Sequence, residues 1–399
     1  MGPDQHAQLD DFSLVLPFPY RIAVILVAGF WGWGVNLDYL RKAKIDVPAL
    51  IRYPARQSPN QRPHHSSAYR LATLLTIPLL ISLLVFWVVT HGSYERVESV
   101  DFIPQSYLII FLVIIIWPFN RLSRSGRRRF LSSLKRVSVG GLAEAQDGKF
   151  GDVLLADALT SYAKVLGDVY VSFCMFFAPG ISSTSKPNRH CGNDYVVPLI
   201  VATPSIIRLR QCLIEYFRVR RTGSKGGGQH LANALKYATA FPVIILSAKM
   251  RNYNPLDFYG FSEMTLGQLL VIFTLINSTY TFYWDLTKDW DLTFFTSSRG
   301  DKDHPYGLRR IRYFSSDRIY YVAVLVDLVL RFSWLSKFVP SLVWLTERES
   351  GIFILMSLEV ARRWMWIFFR VETEWVRNTR GPAPHDILLG ELNGKLDAD

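Results

Sequence analysis

Charge lies in this chain where its apolar neighbours make it costly. Asp168, Asp327, Arg331, Glu359, Arg362 and Arg363 fall near the middle of long apolar runs, and Asp157, Arg208, Lys236 and Asp285 lie within a turn or two of the ends of theirs. A lone charge at the centre of a bilayer costs at least about 2.5–3.5 kcal/mol, so such side chains belong in a bundle interior or a wet cavity. On a helix Glu359 sits three and four residues before the two arginines, and Asp327 four before Arg331, so each set shares a face. Asp327 can neutralise Arg331, and Glu359 can serve Arg362 or Arg363. That leaves more arginine than carboxylate on the last two runs, a net positive site. The arginine fork binds carboxylate or phosphate through two bonds and stays charged when desolvated. A proton or sodium path would carry Asp, Glu or His in excess, and the deep positions hold no His. The set suits passage of an oxyanion such as inorganic phosphate, with interspersed carboxylates weakening its hold enough for release. The competing reading makes these pairs structural glue between helices; charges on five consecutive runs favour the path.

Membrane-spanning helices must position these groups, and the apolar runs supply them. Nine read as clear spans: about Pro19–Asp38, Leu71–Thr90, Ile103–Phe119, Val153–Phe177, Tyr195–Tyr216, Leu231–Met250, Leu266–Leu286, Tyr320–Val339 and Gly351–Trp375. The piece IDVPALI is a short, marginal tenth helix. The predicted fold is therefore all-α, a polytopic membrane helical bundle of about ten helices. Residues 1–150 form N-terminal flanking helices with basic loops, 151–376 a six-helix core, and 377–399 a polar cytosolic tail, disordered over Pro382–Asp399. Lys and Arg collect in the loops 40–70, 120–150, 218–230 and 299–318, which alternate with short or mixed ones. The positive-inside rule puts these basic loops and the C-terminus in the cytosol. Arg121–Arg136 holds five arginines within nine residues. It suits a helix lying on an anionic membrane face and equally a solvated loop.

Composition excludes other classes. Half of the 399 residues are hydrophobic, with 26 Phe, 19 Tyr and 11 Trp, as expected of a polytopic membrane protein. The formal charge of +12 is spread over short loops, which is membrane topology and not a nucleic-acid surface. Cys174, Cys191 and Cys212 are odd in number and lack metal-ligand spacing, so the sequence implies neither a disulfide framework nor a zinc site. No metal or cofactor is expected. No Ser-His-Asp grouping or His-Glu-x-x-His motif is present, and no base-and-nucleophile pair can be found, so an enzyme is not expected. The GSKGGG run at Gly223–Gly228 lacks Walker spacing and reads as a loop. The sequon at Asn277 lies inside a span and should not be glycosylated. In WDLTKDW, Trp284 and Trp290 could be interfacial anchors, with Asp285 and Asp289 merely solvated.

Five motifs in order carry a resemblance: RLRQCLIEY (Arg208–Tyr216), HLANALKY (His230–Tyr237), STYTFYWDLTKDW (Ser278–Trp290), VDLVLRFSW (Val326–Trp334) and LEVARRWMWIFFRVETE (Leu358–Glu374). Together they resemble the EXS domain of phosphate exporters related to the xenotropic and polytropic retrovirus receptor. Upstream, GVNLDYLRKAKIDV resembles the family's first helices. The resemblance implies six EXS spans beside four flanking ones, with both termini cytosolic. Carried over by motif, it implies that Asp157, Arg208, Lys236, Tyr237, Asp285, Arg331, Arg362 and Arg363 line a phosphate path. Asp289 and Glu359 would organise it, Asp327 would support it, and Trp334 would gate it near Arg331. Where the family reads Asp-x-x-Asn-Ser, this chain has Asp157-Ala-Leu-Thr160-Ser161, so a Thr160 hydroxyl stands in for the amide.

The exporters begin with a long SPX sensor, and about 18 residues precede the first span here, so the expectation is a member without that sensor. Short members resemble the fungal Golgi protein needed to retain ER lumenal proteins and to recycle glycosyltransferases. The expected function is a phosphate transporter or channel of the Golgi membrane that returns inorganic phosphate from lumen to cytosol, supporting glycosylation and ER retention. The endoplasmic reticulum and the plasma membrane are alternative locations. The alternative function is a trafficking adaptor with no transport activity. The partners called for are inorganic phosphate and the lipid bilayer, with Golgi glycosyltransferases, coat proteins and a second copy of the chain as further candidates.

Overall fold

The computed structural model describes residues 9–52, 64–117, 124–144, 147–223, 227–253, 262–297, 299–302 and 305–379. The polar tail at 382–399 and the centre of the glycine-rich loop at 224–226 lie outside them. The helices are α1 (Asp11–Val15), α2 (Phe18–Lys42), α3 (Val47–Leu50), α4 (His64–Thr90), α5 (Tyr94–Ser99), α6 (Phe102–Ile116), α7 (Arg124–Lys135) and α8 (Lys149–Ser161). They continue as α9 (Ala163–Phe177), α10 (Val196–Arg221), α11 (Gly228–Ala238), α12 (Ala240–Arg251), α13 (Glu263–Trp284), α14 (Asp317–Arg331), α15 (Trp344–Glu347) and α16 (Glu349–Thr379). No strand occurs among the described residues. The protein is an all-α multi-pass membrane bundle.

Its surface and interior are inverted relative to a water-soluble protein. Ile77, Leu80, Ile81, Leu84 and Val88 on α4 are exposed, as are Ile109, Ile110 and Val113 on α6 and Val322, Leu325 and Val329 on α14. Asp157, Arg208, Lys236, Asp285, Asp327, Arg362 and Arg363 are buried. Large exposed apolar faces around buried charge suit a hydrocarbon solvent. Two apolar clusters flank the charged layer. One joins α2, α4, α6, α9 and the first part of α16, up to Met356 and Val360. The other joins α8, the end of α13, α14 and the later part of α16 through Trp366, Ile367, Phe369 and Val371. Close approach of α2 depends on small residues: a Cβ on Gly29 would run into the Tyr162 hydroxyl, and the Gly32 carbonyl accepts from Trp364 Nε1 at 2.9 Å.

Six stretches are long and apolar enough to cross a bilayer: Phe18–Lys42, His64–Thr90, Tyr94–Ile116, Val196–Arg221, Gly228–Arg251 and Glu263–Asp289. The other three expected spans depart from that pattern for physical reasons. The fourth is cut at Tyr162 into α8 and α9. The eighth ends as α-helix at Arg331 and continues as a 3-10 segment, Ser333–Phe338. The ninth, α16, has 31 residues but carries its charges mid-way. IDVPALI supplies only α3, one turn capped by the Asp46 carboxylate on Ala49 N, too short to cross.

One finding corrects the sequence reading. Cys174 and Cys191 form a disulfide, which leaves Cys212 as the free thiol. Their separation of 17 residues closes the loop after α9 back onto that helix, a local pairing that counting cysteines could not reveal. Phe12 packs on Phe353 near the Glu349 end of α16, the end of that helix away from Thr379. Replacing Cys174 or Cys191 by serine should cost about 3 kcal/mol for a loop of this length, read as a lower melting temperature in detergent. Denatured wild type should take one maleimide-polyethylene glycol without reductant and three with it.

Candidate functional site

Every helix pair that delivers charge to the polar layer, α10 and α16 apart, is broken at the point of delivery. α8 stops at Ser161, α11 stops at Ala238, one residue after Lys236-Tyr237, α13 turns π-helical over Asp285–Asp289, and α14 gives way just after Arg331. Interruptions in membrane helices free backbone and re-aim side chains at a buried site. At the α11–α12 break, the Thr239 hydroxyl donates to Lys236 O at 2.7 Å and to Asn277 Oδ1 at 2.9 Å, tying the interruption to α13.

The first group of charges centres on Arg208. Its Nε donates to Asp157 Oδ1 at 2.7 Å and to the Tyr237 hydroxyl at 3.0 Å, and Nη1 donates to Gln211 Oε1 at 2.5 Å. The Tyr237 hydroxyl also donates to Asp157 Oδ1, at 2.5 Å. The Lys236 ammonium lies 4.5 Å from the Tyr237 ring centre and 5.4 Å from that of Trp284, a cation held between aromatic faces. Its carboxylate, Asp289, stays 3.7 Å away and is shared with Arg370 at 3.8 Å. Neither contact is a hydrogen bond, so Asp289 is held by charge alone.

The second group centres on Arg362. It donates through Nε and Nη2 to Glu359 at 2.9 and 2.6 Å, and through Nη1 to Asp327 at 3.0 Å. Asp285 pairs with Arg331 and lies 3.6 Å from Arg362. The sequence pairing of Asp327 with Arg331 is therefore replaced: the π turn brings Asp285 to Arg331 and releases Asp327 to Arg362. Spacing along one helix could not anticipate a partner from another. The arginine excess of the last two runs is offset by carboxylates from α8 and the π turn: Asp157, Asp285, Asp289, Asp327 and Glu359 face Arg208, Lys236, Arg331, Arg362 and Arg363, while Arg370 is bonded to Glu374, so the layer is neutral.

Arg363 stands apart. Among the described residues it enters no ion pair. Its Nε donates to Ser161 Oγ at 3.0 Å, Nη2 to Thr160 Oγ1 at 3.2 Å, and its guanidinium lies 4.5 Å from the Trp366 ring centre. Thr160 thus takes up Arg363 with its hydroxyl while donating to Asp157 O at 2.7 Å. Ser161 links Arg363 to Glu359, to which it donates at 2.7 Å. Glu359 keeps 39% of its side chain accessible although it lies mid-way along α16. Gln211 Nε2, Asp289 Oδ2, Asp327 Oδ2 and Arg331 Nε are buried without a protein hydrogen-bond partner, which leaves them available to a polar guest. Trp334 donates to Ser278 Oγ at 3.2 Å from the 3-10 segment that follows Arg331. No group of His, Cys, Asp and Glu suited to a metal occurs among the described residues.

Some deep charges go elsewhere. Asp168 meets Arg189 at 3.5 Å, near the other end of the bundle. Arg210 donates to Val137 O at 2.7 Å and fastens the turn after α7. Sequence reading missed Ser161, Gln211 and Arg370. Ser161 was legible, four residues after Asp157 on the same helical face; Arg370 carries no such signal, because Asp289 reaches it from the π turn of another helix.

A sequence profile of the EXS family matches residues 16–376, from just ahead of α2 into the end of α16. The chain belongs to the EXS family. Protein ERD1 homolog 1 of Schizosaccharomyces pombe is 30% identical to this EXS protein over 371 residues, 92% of each chain. The xenotropic and polytropic retrovirus receptor 1 homolog of Xenopus laevis is 30% identical over 389 residues, 94% of this chain and 52% of that one. Phosphate transporter PHO1 of Arabidopsis thaliana is 24% identical over 361 residues, 90% of this chain and 43% of that one. The EXS match includes every charged residue of the polar layer.

Stability should separate the paired arginines of this EXS protein from the unpaired one. Arg208→Ala or Arg362→Ala leaves a buried carboxylate without its cation and should cost about 3–5 kcal/mol. Arg363→Ala leaves only hydroxyls behind and should cost no more than about 1–2 kcal/mol. Melting temperatures in detergent, with ligand-free buffer, measure the difference; equal losses would mean that Arg363 is as structural as the others.

Proposed function

We propose that this EXS protein is a phosphate transporter or channel, not an enzyme, and that its polar layer is the phosphate path. The observation that carries this reading is Arg363: a buried guanidinium with no carboxylate of its own, held by two hydroxyls beside an accessible Glu359. A tetrahedral oxyanion can take two bonds from such a fork. It can then pass along the layer by exchange, each arginine giving up a carboxylate for phosphate oxygens and taking it back as the anion moves on. The neutral count suits that role, because an uncompensated cluster would bind phosphate too tightly to release it. Asp289, held only at long range by Lys236 and Arg370, is the carboxylate most easily displaced at the end nearer the basic loops.

The relatives support the substrate, since one of them is a phosphate transporter. The likeness to ERD1 proteins, with the resemblance to short Golgi members, supports a Golgi membrane setting in which phosphate is returned from lumen to cytosol. The Cys174–Cys191 disulfide supports the orientation. Disulfides persist on an oxidising side, which supports a lumenal 178–195 loop opposite the basic loops and α16's C-terminal end. Purified protein in liposomes should take up radiolabelled phosphate, and Arg331→Ala and Arg363→Ala should each reduce uptake to that of empty vesicles. Wild-type uptake in both folded variants would refute the path; no uptake by wild type would refute transport.

A further inference from the structure

On the disulfide side of the polar layer, two of the chain segments that build it converge on a single arginine. Glu349, Ile352, Met356, Glu359 and Arg363 recur at spacings of three, four, three and four, one face of α16. Glu349 therefore stands about 15 Å beyond Glu359 along that helix, at 1.5 Å per residue. Ser161, which meets Glu359 and Arg363 in the layer, is followed two turns later by Asp168 on α9. Arg189, from the 178–195 loop, reaches both outlying carboxylates. Its Nε lies 3.5 Å from Asp168 and its Nη1 3.5 Å from Glu349. One guanidinium thus bridges α9 and α16 beyond the layer.

That bridge is weak where its anchors are firm. The Cys174–Cys191 disulfide and Asn188 N on Met175 Sδ, at 3.3 Å, tie the loop to α9. Ser183 N donates to Asp101 Oδ2 at 2.9 Å, and Thr184 Oγ1 to Val97 O at 2.7 Å, fastening the loop to the α5–α6 corner. Glu349 is held from the other side by Arg21 of α2, which donates to it at 3.0 Å and to Leu16 O at 2.8 Å. Both contacts of Arg189 lie instead at the outer limit of a hydrogen bond. The cavity lined by Arg21, Asp168, Arg189 and Glu349, with Phe353 and Met356 on the side toward the layer, measures about 10 Å³. It has room for one water and none for phosphate.

We propose that Arg189 and Glu349 form the disulfide-side gate of the phosphate path, shut in this structure and opened when Glu349 parts from Arg189. The gate rests on the transport reading above. Parting at that contact strands no charge, because Arg189 keeps Asp168 and Glu349 keeps Arg21. An arginine at the seam also suits the passenger: phosphate oxygens can take the place of the Glu349 carboxylate on the same fork as the anion goes by.

The test measures initial uptake of radiolabelled phosphate by full-length protein in liposomes, and equilibrium phosphate binding by the same purified protein. Glu349→Gln and Arg189→Gln each remove the bridge and should raise the saturated rate about fivefold, the effect of one weak ion pair on an opening equilibrium. The double variant should be no faster than either single one, since both remove the same contact. Equilibrium affinity should stay within about twofold, because sites this far apart act independently. Melting temperatures show which variants fold, and either single variant carries the rate test alone. An unchanged or slower rate in a folded variant, with Arg363→Ala still blocking flux, would overturn the gate and leave the transport reading standing. A faster rate matched by altered affinity would overturn it as well, since the effect would then lie in the layer. So would a double variant whose gain is the product of the single ones, or failure of both single variants to fold, which would make the bridge a structural tie. No flux by wild type would overturn both readings together.

Discussion

A guanidinium inside a membrane must be compensated by something other than lipid, and most of this structure follows from that requirement. Arg208, Arg331 and Arg362 each find carboxylates on helices other than their own, at Asp157, Asp285 and Asp327. Such pairs hold only if the helices arrive at the right depth and rotation. The bundle meets that condition by interrupting four of its helices beside the charges, at Tyr162, Thr239, Asp285–Asp289 and Ser333–Phe338. Apolar clusters on either side of the layer keep those interruptions in register. α16 runs through both clusters, and so its three charged residues are fixed from above and below.

Compensation is not uniform, and the differences divide structure from function. Where each arginine meets a buried carboxylate, the pair mainly fixes geometry; exchanging it for an anion means breaking strong bonds. Glu372 shows the purely structural extreme. It accepts from Arg309, Tyr320 and Tyr313 N within 2.6 Å and locks the loop after α13 onto α16. Arg363 is the opposite case, a cation held by hydroxyls with no carboxylate of its own among the described residues.

The sequence made the charged positions legible because charge amid long apolar runs has few explanations, and Glu359, Arg362 and Arg363 share a face at any helical spacing. The family was legible too, through five motifs in order. Partners between helices were not. Asp327 four residues before Arg331 looks like a pair, and only the π turn at Asp285–Asp289, which no local propensity announces, shows that Asp285 takes Arg331. Breaks at Tyr162 and Thr239 were hidden as well: neither is Gly or Pro, and Thr239 is tied by its hydroxyl to Asn277 on another helix.

The central claim is that carboxylates in the layer compete with phosphate for the same guanidinium groups. Phosphate affinity of purified Glu359→Gln, measured by equilibrium binding beside wild type, tests it most directly. Freed of a carboxylate that holds Arg362 through two bonds, the variant should bind phosphate several-fold more tightly and release it more slowly. Weaker or unchanged binding in a folded variant would contradict the account, since Glu359 would then be serving the anion or ignoring it.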